Sequence, residues 1–394
     1  RGEKEEALKL RFEINDEAAR AAVFAVLPPD THTHIARLQA WATDALDRLL
    51  RPSLEREVRR ELTDEAEEHA VLVFAKNLRC LLLQSPVCGK RVLAIDPGFR
   101  TGCKLAVIDE IGNMLTHDVI YPHPPQAQRA EAKEKLLALA RQHSTNVVAI
   151  GNGTACRETE ELVSEIIAES MPELAYTVVN EAGASVYSTS TVGREEFPEQ
   201  DATCRGTISI GRRLQDPLSE LVKIEPQHIG VGLYQHDVHP RQLKDSLGAV
   251  VESCVNFVGV DLNTASVPLL RYVSGLNQLT ARRLAEWRQS HGAFASREQI
   301  KEVQGIGDGV FTQAAGFLKL PGGANPLDAT WIHPESYSVA VKLLEKLGMS
   351  TDLLKNRDEV AKLPEKLQAM PIEQLAQELQ VGSATMHDIV EALQ

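Results

Sequence analysis

The sequence predicts a multidomain, mainly helical chain with one α/β domain set between helical segments. Three observations carry this. The chain has 394 residues, more than one hydrophobic core of about 250–300 residues organises, and the soft expectation is two to four domains. Apolar positions fall at helical spacing over most of its length, and short strand-like runs appear only between residues 90 and 181. Gly and Pro cluster where the period changes.

Residues 1–89 read as helices. Glu17–Leu27 and Ile35–Leu50 are split by Pro28-Pro29, and Ser53–Leu83 carries Leu54, Val58, Leu62, Ala66, Ala70 and Val73 on one face. Arg56, Arg59 and Arg60 alternate with Glu55, Glu57 and Glu61, the pattern of a solvated face laced with ion pairs rather than of a phosphate contact. Residues 90–235 change character. Arg91–Asp96 is a buried strand ending in an acid, Pro97-Gly98 turns the chain, and Lys104–Asp109 and Met114–Tyr121 are strands joined by a hairpin turn at Glu110–Asn113. A helix (Gln126–His143), a strand (Asn146–Gly151), a helix (Arg157–Ser170) and a strand (Tyr176–Glu181) follow. Three antiparallel strands and then alternating helices and strands is the order of the ribonuclease-H-like α/β fold. Residues 236–322 are helical with Gly-centred turns. Residues 323–394 open on a Gly/Asn/Pro loop and give short helices at Ser336–Leu347, Asp358–Leu363, Ile372–Leu379 and His387–Leu393.

Composition narrows the function classes. The 43 % hydrophobic and 25 % charged content is ordinary for a globular protein, and 5 % aromatic residues advertise no broad base-stacking platform. The longest apolar runs, Ala70–Ala75 and Leu247–Val251, fall short of a membrane span. Six cysteines with no CxxC pair argue against zinc and against a disulfide framework, and suit a reducing cytoplasm. Arg1-Gly2 is not a natural start, so the chain reads as excised from something longer. The net charge of −13 opposes attraction of a polyanion. Residues 266–320, however, carry seven Lys and Arg against four Asp and Glu, and this is the one basic stretch.

Two chemistries compete for the α/β domain and its neighbour. A two-metal nuclease needs three or four converging carboxylates. Asp96 and Glu181 end strands and are candidates, and Asp201 lies in a nearby loop. The strand Asn146–Gly151 ends without an acid, and Arg205 stands where a further carboxylate is wanted. The turn Gly151-Asn152-Gly153-Thr154 before a helix is a candidate phosphate site through Gly151, Gly153 and Thr154, although Thr154 as a plain helix cap explains the same residues. The stronger pattern is Val273-Ser274-Gly275-Leu276 before the helix Thr280–Gln289, then Val303-Gln304-Gly305-Ile306-Gly307 before the helix Val310–Leu318. Glycine admits the backbone to a phosphate, the next helix aims its N–H groups at it, and Arg282, Arg283 and Lys301 add charge. This is the tandem helix-hairpin-helix pattern, which holds backbone without reading sequence. His236, Asp237 and His239 are close in sequence but lack a third ligand by spacing, and read as a loop cluster rather than a metal site.

The strings IDPGFRTGCKLAVID (95–109), IGNGTACRETE (150–160), NEAGASVYS (180–188), PLSELVKIEPQHIGVGLYQHDV (217–238) and VQGIGDGVF (303–311), with RGEKEEALKL at the start, resemble the Tex family of bacterial transcription-accessory proteins. The resemblance spans nearly the whole chain. It implies the end of a helical N-terminal region (1–89), a YqgF ribonuclease-H-like domain (90–235), a tandem helix-hairpin-helix domain (236–322) and a helical segment (323–394), with the family's C-terminal OB-fold RNA-binding domain lying beyond the chain. It further implies an RNA- or DNA-binding scaffold beside the transcription machinery, with no cofactor and no catalysis. The alternative is a Mg²⁺-dependent nuclease or resolvase using Asp96 and Glu181.

Overall fold

The computed structural model describes residues 2–230, 232–355, 360, 363 and 372–393. The expected helix at Asp358–Leu363 lies almost entirely outside them. The chain divides into two compact units, residues 1–76 with 231–246, and residues 77–230 with 247–394.

In the first unit α1 (Asp16–Phe24) starts where Asn15 accepts a hydrogen bond from the Ala18 N–H, and it ends ahead of Pro28-Pro29. Helix α2 (Ile35–Ala45) runs through a π-helical turn, Leu46–Leu50, into α3 (Arg51–Leu82), whose residues from Asn77 onward belong to the second unit. The acid–base alternation on α3 does what its spacing predicts at Arg59, which pairs with Glu55 at 3.0 Å and with Glu3 at 2.8 Å.

The second unit holds a five-stranded sheet in the order β3-β2-β1-β4-β5, from β1 (Val92–Asp96), β2 (Cys103–Ile108), β3 (Met114–Ile120), β4 (Val147–Gly151) and β5 (Ala175–Val179). Strands β1, β2 and β3 are antiparallel neighbours, and β4 and β5 continue parallel to β1. Residue period two then sorts the faces. Leu93, Ile95, Val148 and Ile150 pack on α4 (Arg129–Gln142) and α5 (Cys156–Ser170). Val92 and Ala149 face the other way, in a cluster with Ile208 and Ile210 of α8 (Ala202–Gln215). Gly211 lets α8 close on the sheet, because a Cβ there would lie 2.9 Å from Ile108 and 3.1 Å from Ala94. Asp96, two residues on from Ala94, therefore belongs to the α8 side.

Beyond the short helices α6 (Ala184–Thr189), α7 (Thr191–Glu196) and α9 (Pro217–Leu221), the chain enters α10 (Pro240–Val258). Two parallel strands, β6 (Val260–Asp261) and β7 (Leu318–Lys319), bracket the next segment. Between them lie α11 (Val267–Leu270), α12 (Gln278–His291), a 3-10 turn at Arg297–Glu302 and α13 (Asp308–Ala314). Then α14 (Tyr337–Lys346), α15 (Ile372–Glu378) and α16 (Ser383–Leu393) close around Leu343, Leu375, Met386 and Ile389. No described helix is long and apolar enough to cross a membrane.

Candidate functional site

The two glycine hairpins are one device built twice, thirty residues apart. The Leu276 N–H donates to the Val273 carbonyl at 3.0 Å, and the Ile306 N–H to the Val303 carbonyl at 3.0 Å. Gly275 has φ +84° and Gly305 φ +92°, so glycine is required for the turn itself. A Cβ on Gly275 would meet Gln313 Cβ at 2.7 Å and the Val310 carbonyl at 3.2 Å. One on Gly305 would meet Arg283 Nη1 at 2.6 Å and Thr280 Cγ2 at 3.9 Å. Val310 and Gln313 stand thirty residues on from Thr280 and Arg283, so each hairpin seats on the helix of the other motif through equivalent positions. Gly275 is half-buried against α13, which corrects the expectation that it is bare for a phosphate to approach, whereas Gly305 is exposed and meets only the tip of Arg283. Ile306 is buried and Leu276 half-buried beneath the turns. The open glycines are Gly307 and Gly309, both exposed, where an added Cβ would have nothing within 4 Å.

The two helix starts also differ. Asn277 caps α12, accepting from the N–H groups of Leu279 (2.9 Å) and Thr280 (3.0 Å), while Thr280 Oγ1 accepts from the Asn277 N–H at 2.8 Å. At α13 the capping position is Gly307, with no side-chain cap. Unclaimed donors are therefore concentrated at the second hairpin.

The basic balance of this segment is largely spent inside the protein. Arg297 is only 1 % exposed and donates to the carbonyls of Leu318 (2.6 Å) and Ile332 (2.7 Å), to Thr330 and to the Tyr337 hydroxyl. Arg288 donates to the carbonyls of Leu262 and Ala265, both at 3.0 Å, and Lys319 to that of Val258 at 2.8 Å. Lys301 pairs with Glu298 (3.1 Å) and Asp308 (3.4 Å) and lies 4.3 Å from the centre of the Phe311 ring. The expected contribution of Lys301 to phosphate attraction is thus offset by its two acids. Arg283 spans the second hairpin through the Gln304 carbonyl at 2.9 Å. Arg282 is exposed and takes no partner among the described residues.

In the α/β domain Asp96 and Glu181 do come together, with Lys104, in a pocket of about 310 Å³. Glu181 stands two residues past the end of β5 instead of ending the strand. Burial pushes the Asp96 carboxyl up, with Lys104 opposing. Burial also raises Glu181, and the charge of Asp96 adds to it. The Gly-rich turn packs against this same carboxylate: the Gly153 N–H opposes part of the rise, and a Cβ on Gly153 would collide with Glu181 Oε1. A Cβ on Gly151 would lie 2.5 Å from Oε2. The turn is thus filled by the chain's own carboxylate, whose Oε2 is buried without a hydrogen-bond partner, which corrects the reading of Gly151 and Gly153 as an open phosphate site. Thr154 is not the helix cap either, since α5 starts from Ala155 at φ +65° with no side-chain cap.

Arg205 points away from the carboxylates, donating to the carbonyls of Phe197 (3.0 Å) and Ser188 (3.1 Å). The α8 residues that do line the pocket are Ala202, Thr203, Gly206 and Ile210, none of them an acid. Asp201 caps α8 by accepting from the Cys204 N–H at 2.7 Å. Among the described residues no group of three or more His, Cys, Asp or Glu is placed to hold a metal, His236, Asp237 and His239 included. Two carboxylates beside an ammonium do not fit a pair of divalent cations.

Comparison with known proteins bears on both regions. The Tex protein YqgF-like domain model matches residues 90–215, and a helix-hairpin-helix motif model matches residues 255–319. A second helix-hairpin-helix domain model matches residues 325–394. The transcriptional accessory protein Tex of Neisseria gonorrhoeae is 48% identical over 314 residues, covering 79% of this chain and 41% of that protein. The chain belongs to the Tex family. The uncharacterized protein YdcI of Bacillus subtilis is 46% identical over 394 residues, all of this chain and 54% of its own length. The human S1 RNA-binding domain-containing protein 1 is 40% identical over 401 residues, covering 89% of this chain and 40% of that protein. The chain thus spans about half the length, or less, of these relatives. In this Tex-family chain the first helix-hairpin-helix match contains both glycine hairpins. The second falls on a segment whose sequence pattern shows only short helices. There Val381-Gly382, a hydrophobic residue and a glycine, stand directly before α16.

Proposed function

We propose that this chain is a nucleic-acid-binding accessory of transcription that grips the sugar–phosphate backbone at its second hairpin, with little sequence preference. The observation that carries the reading is the stretch Gln304–Gly309. Gly307 and Gly309 are exposed and unobstructed, α13 starts without a cap, and Arg283 bonds the Gln304 carbonyl of the turn, with the exposed Arg282 next to it in the chain. Backbone N–H groups bared this way donate to phosphate oxygens, and they read no base edge. The relatives' names support the setting: one is called a transcriptional accessory protein and another an S1 RNA-binding domain-containing protein. In that role the protein works in the cytoplasm and needs no cofactor. Asp308, ion-paired to Lys301, keeps the grip weak by placing a like charge at the phosphate position.

The test is anisotropy titration of single- and double-stranded DNA and RNA across a salt series. Gly307→Val, at φ −90° and with open space around it, is expected to weaken binding about five- to tenfold while the melting temperature holds. Arg282→Glu with Arg283→Glu is expected to weaken it and to flatten the salt slope by roughly one to two units. If these variants bind as the parent does and charge reversal at Arg56, Arg59 and Arg60 abolishes binding, the hairpin is not the contact.

A further inference from the structure

The five-stranded sheet has two edges, β3 and β5, and only one of them is protected. Along β3 the register with β2 skips Leu115, a bulge, and His117 and Asp118 place polar side chains on the strand. Devices of this kind keep foreign strands off a sheet. Strand β5 pairs with β4 without a bulge, and its five residues include no proline and no charge. Its main-chain groups face alternately toward and away from β4. The Ala175 N–H donates to the Asn146 carbonyl at 3.3 Å, and the Val179 carbonyl accepts from the Asn152 N–H at 3.0 Å. Residues 175, 177 and 179 thus turn their N–H and C=O groups to the β4 side, and those of Tyr176 and Val178 point off the sheet. Parallel strands of an α/β domain are normally covered on both faces, yet Tyr176 is 37 % exposed and Val178 44 %.

The space beside this edge is a trench of about 810 Å³ lined by all five residues of β5. Val87, Leu214 and Pro217 give it an apolar wall, held in place where the Val87 N–H donates to the Leu214 carbonyl at 2.9 Å. A row of main-chain donors and acceptors at strand spacing is matched by another extended chain, whose alternate side chains enter the trench. Charge decides which chain. Of the acids around β5, Glu165 and Glu169 on α5 pair with Arg129 and Lys133. Glu160, which accepts from the Tyr176 hydroxyl at 3.0 Å, and Glu173 on the trench take no cation among the described residues. Lys90 is the exposed cation of the lining, since Arg213 is buried on the carbonyls of Asn180 and Ala182. A second copy brings the same acids and a net charge of −13 to the edge, so like charge disfavours it and favours a basic strand.

We propose that β5 is a docking edge for an extended, Lys- or Arg-bearing peptide segment of another protein. The segment adds as a sixth strand on the main-chain groups of Tyr176 and Val178, with its basic side chains toward Glu160 and Glu173. The site is independent of the hairpin grip.

Anisotropy titration of the full chain with the labelled peptide Lys-Val-Thr-Val-Thr-Val-Lys tests this. One control peptide carries Glu at both ends, and another carries Pro in place of the central Val. Saturable binding of the basic peptide is expected, with both controls about tenfold weaker or more and with slowed hydrogen exchange at the Tyr176 and Val178 amides. Val178→Pro removes one outward N–H and leaves the ladder to β4, and it is expected to weaken binding about fivefold or more while the melting temperature holds. Glu160→Lys with Glu173→Lys is expected to weaken the basic peptide and strengthen the acidic one. The proposal is overturned if the basic peptide does not bind below about 1 mM, if Val178→Pro binds it as tightly as the parent, or if exchange slows only elsewhere. Should Val178→Pro fail to fold, unchanged binding by the double Lys variant overturns it. A parent that sediments as a dimer, and as a monomer in Val178→Pro, overturns it in favour of a second copy on the edge.

Discussion

Gly275 and Gly305 occupy the same place in two hairpins, yet a methyl group meets different neighbours at each. At Gly275 it strikes the Gln313 Cβ and a backbone carbonyl, which cannot move without α13, whereas at Gly305 it strikes the tip of Arg283. Both substitutions to Ala incur about 1–2 kcal/mol for the left-handed backbone. Gly275→Ala is expected to lose more on top, and urea unfolding of the two variants measures the difference. At Glu181 the sign of a pH effect follows from its burial. Its pKa is raised in the folded chain, so the folded state binds more protons than the unfolded one, and stability falls as pH rises from the ordinary carboxyl value through the folded one. Glu181→Gln removes that loss while keeping an acceptor for the Gly153 N–H. The variant is expected to melt higher than the parent at neutral pH, and the gap is expected to close as pH drops below the ordinary carboxyl value.

Among the elements, the 3-10 turn Arg297–Glu302 shows how a charge count misleads. Arg297 belongs to the one basic stretch, but its guanidinium is buried against carbonyls of Leu318, Ile332 and Thr330, and its N–H bonds Asp328 at 3.1 Å. Arg297→Met leaves those acceptors buried without donors. It is expected to destabilise the chain by about 3–5 kcal/mol. Where folded protein remains, its nucleic-acid affinity is expected to match that of the parent. Denaturant melts beside anisotropy at low temperature separate the two effects, and a folded variant that binds tenfold more weakly would return Arg297 to the contact surface.

For the molecule as a whole, a net charge of −13 means that any grip on a polyanion works against long-range repulsion. Affinity is expected to be modest and to fall steeply with salt, as counterion release requires. No Mg²⁺- or Mn²⁺-dependent cleavage of DNA or RNA above an Asp96→Ala control is expected, because two carboxylates beside Lys104 cannot hold two cations in register. Robust cleavage abolished by Asp96→Ala or Glu181→Gln would reinstate the nuclease reading.

Periodicity alone determined the helical and α/β parts, since the pattern of period two and of 3.6 is written in consecutive residues. The convergence of Asp96 with Glu181 was legible for the same reason, each being close to the end of a strand. So were the paired turns, because a left-handed glycine behind a buried Val is a local requirement that sequence must meet. Tertiary structure decided what each polar group does. Gly153 packs against the carboxylate of Glu181, Arg205 holds two carbonyls, Lys301 sits between two acids, and Arg213 is buried on the carbonyls of Asn180 and Ala182. Partners of this kind are set by residues far apart in the chain, and a hydrogen bond or an ion pair depends on distances of a few tenths of an ångström. No spacing along the sequence encodes those distances.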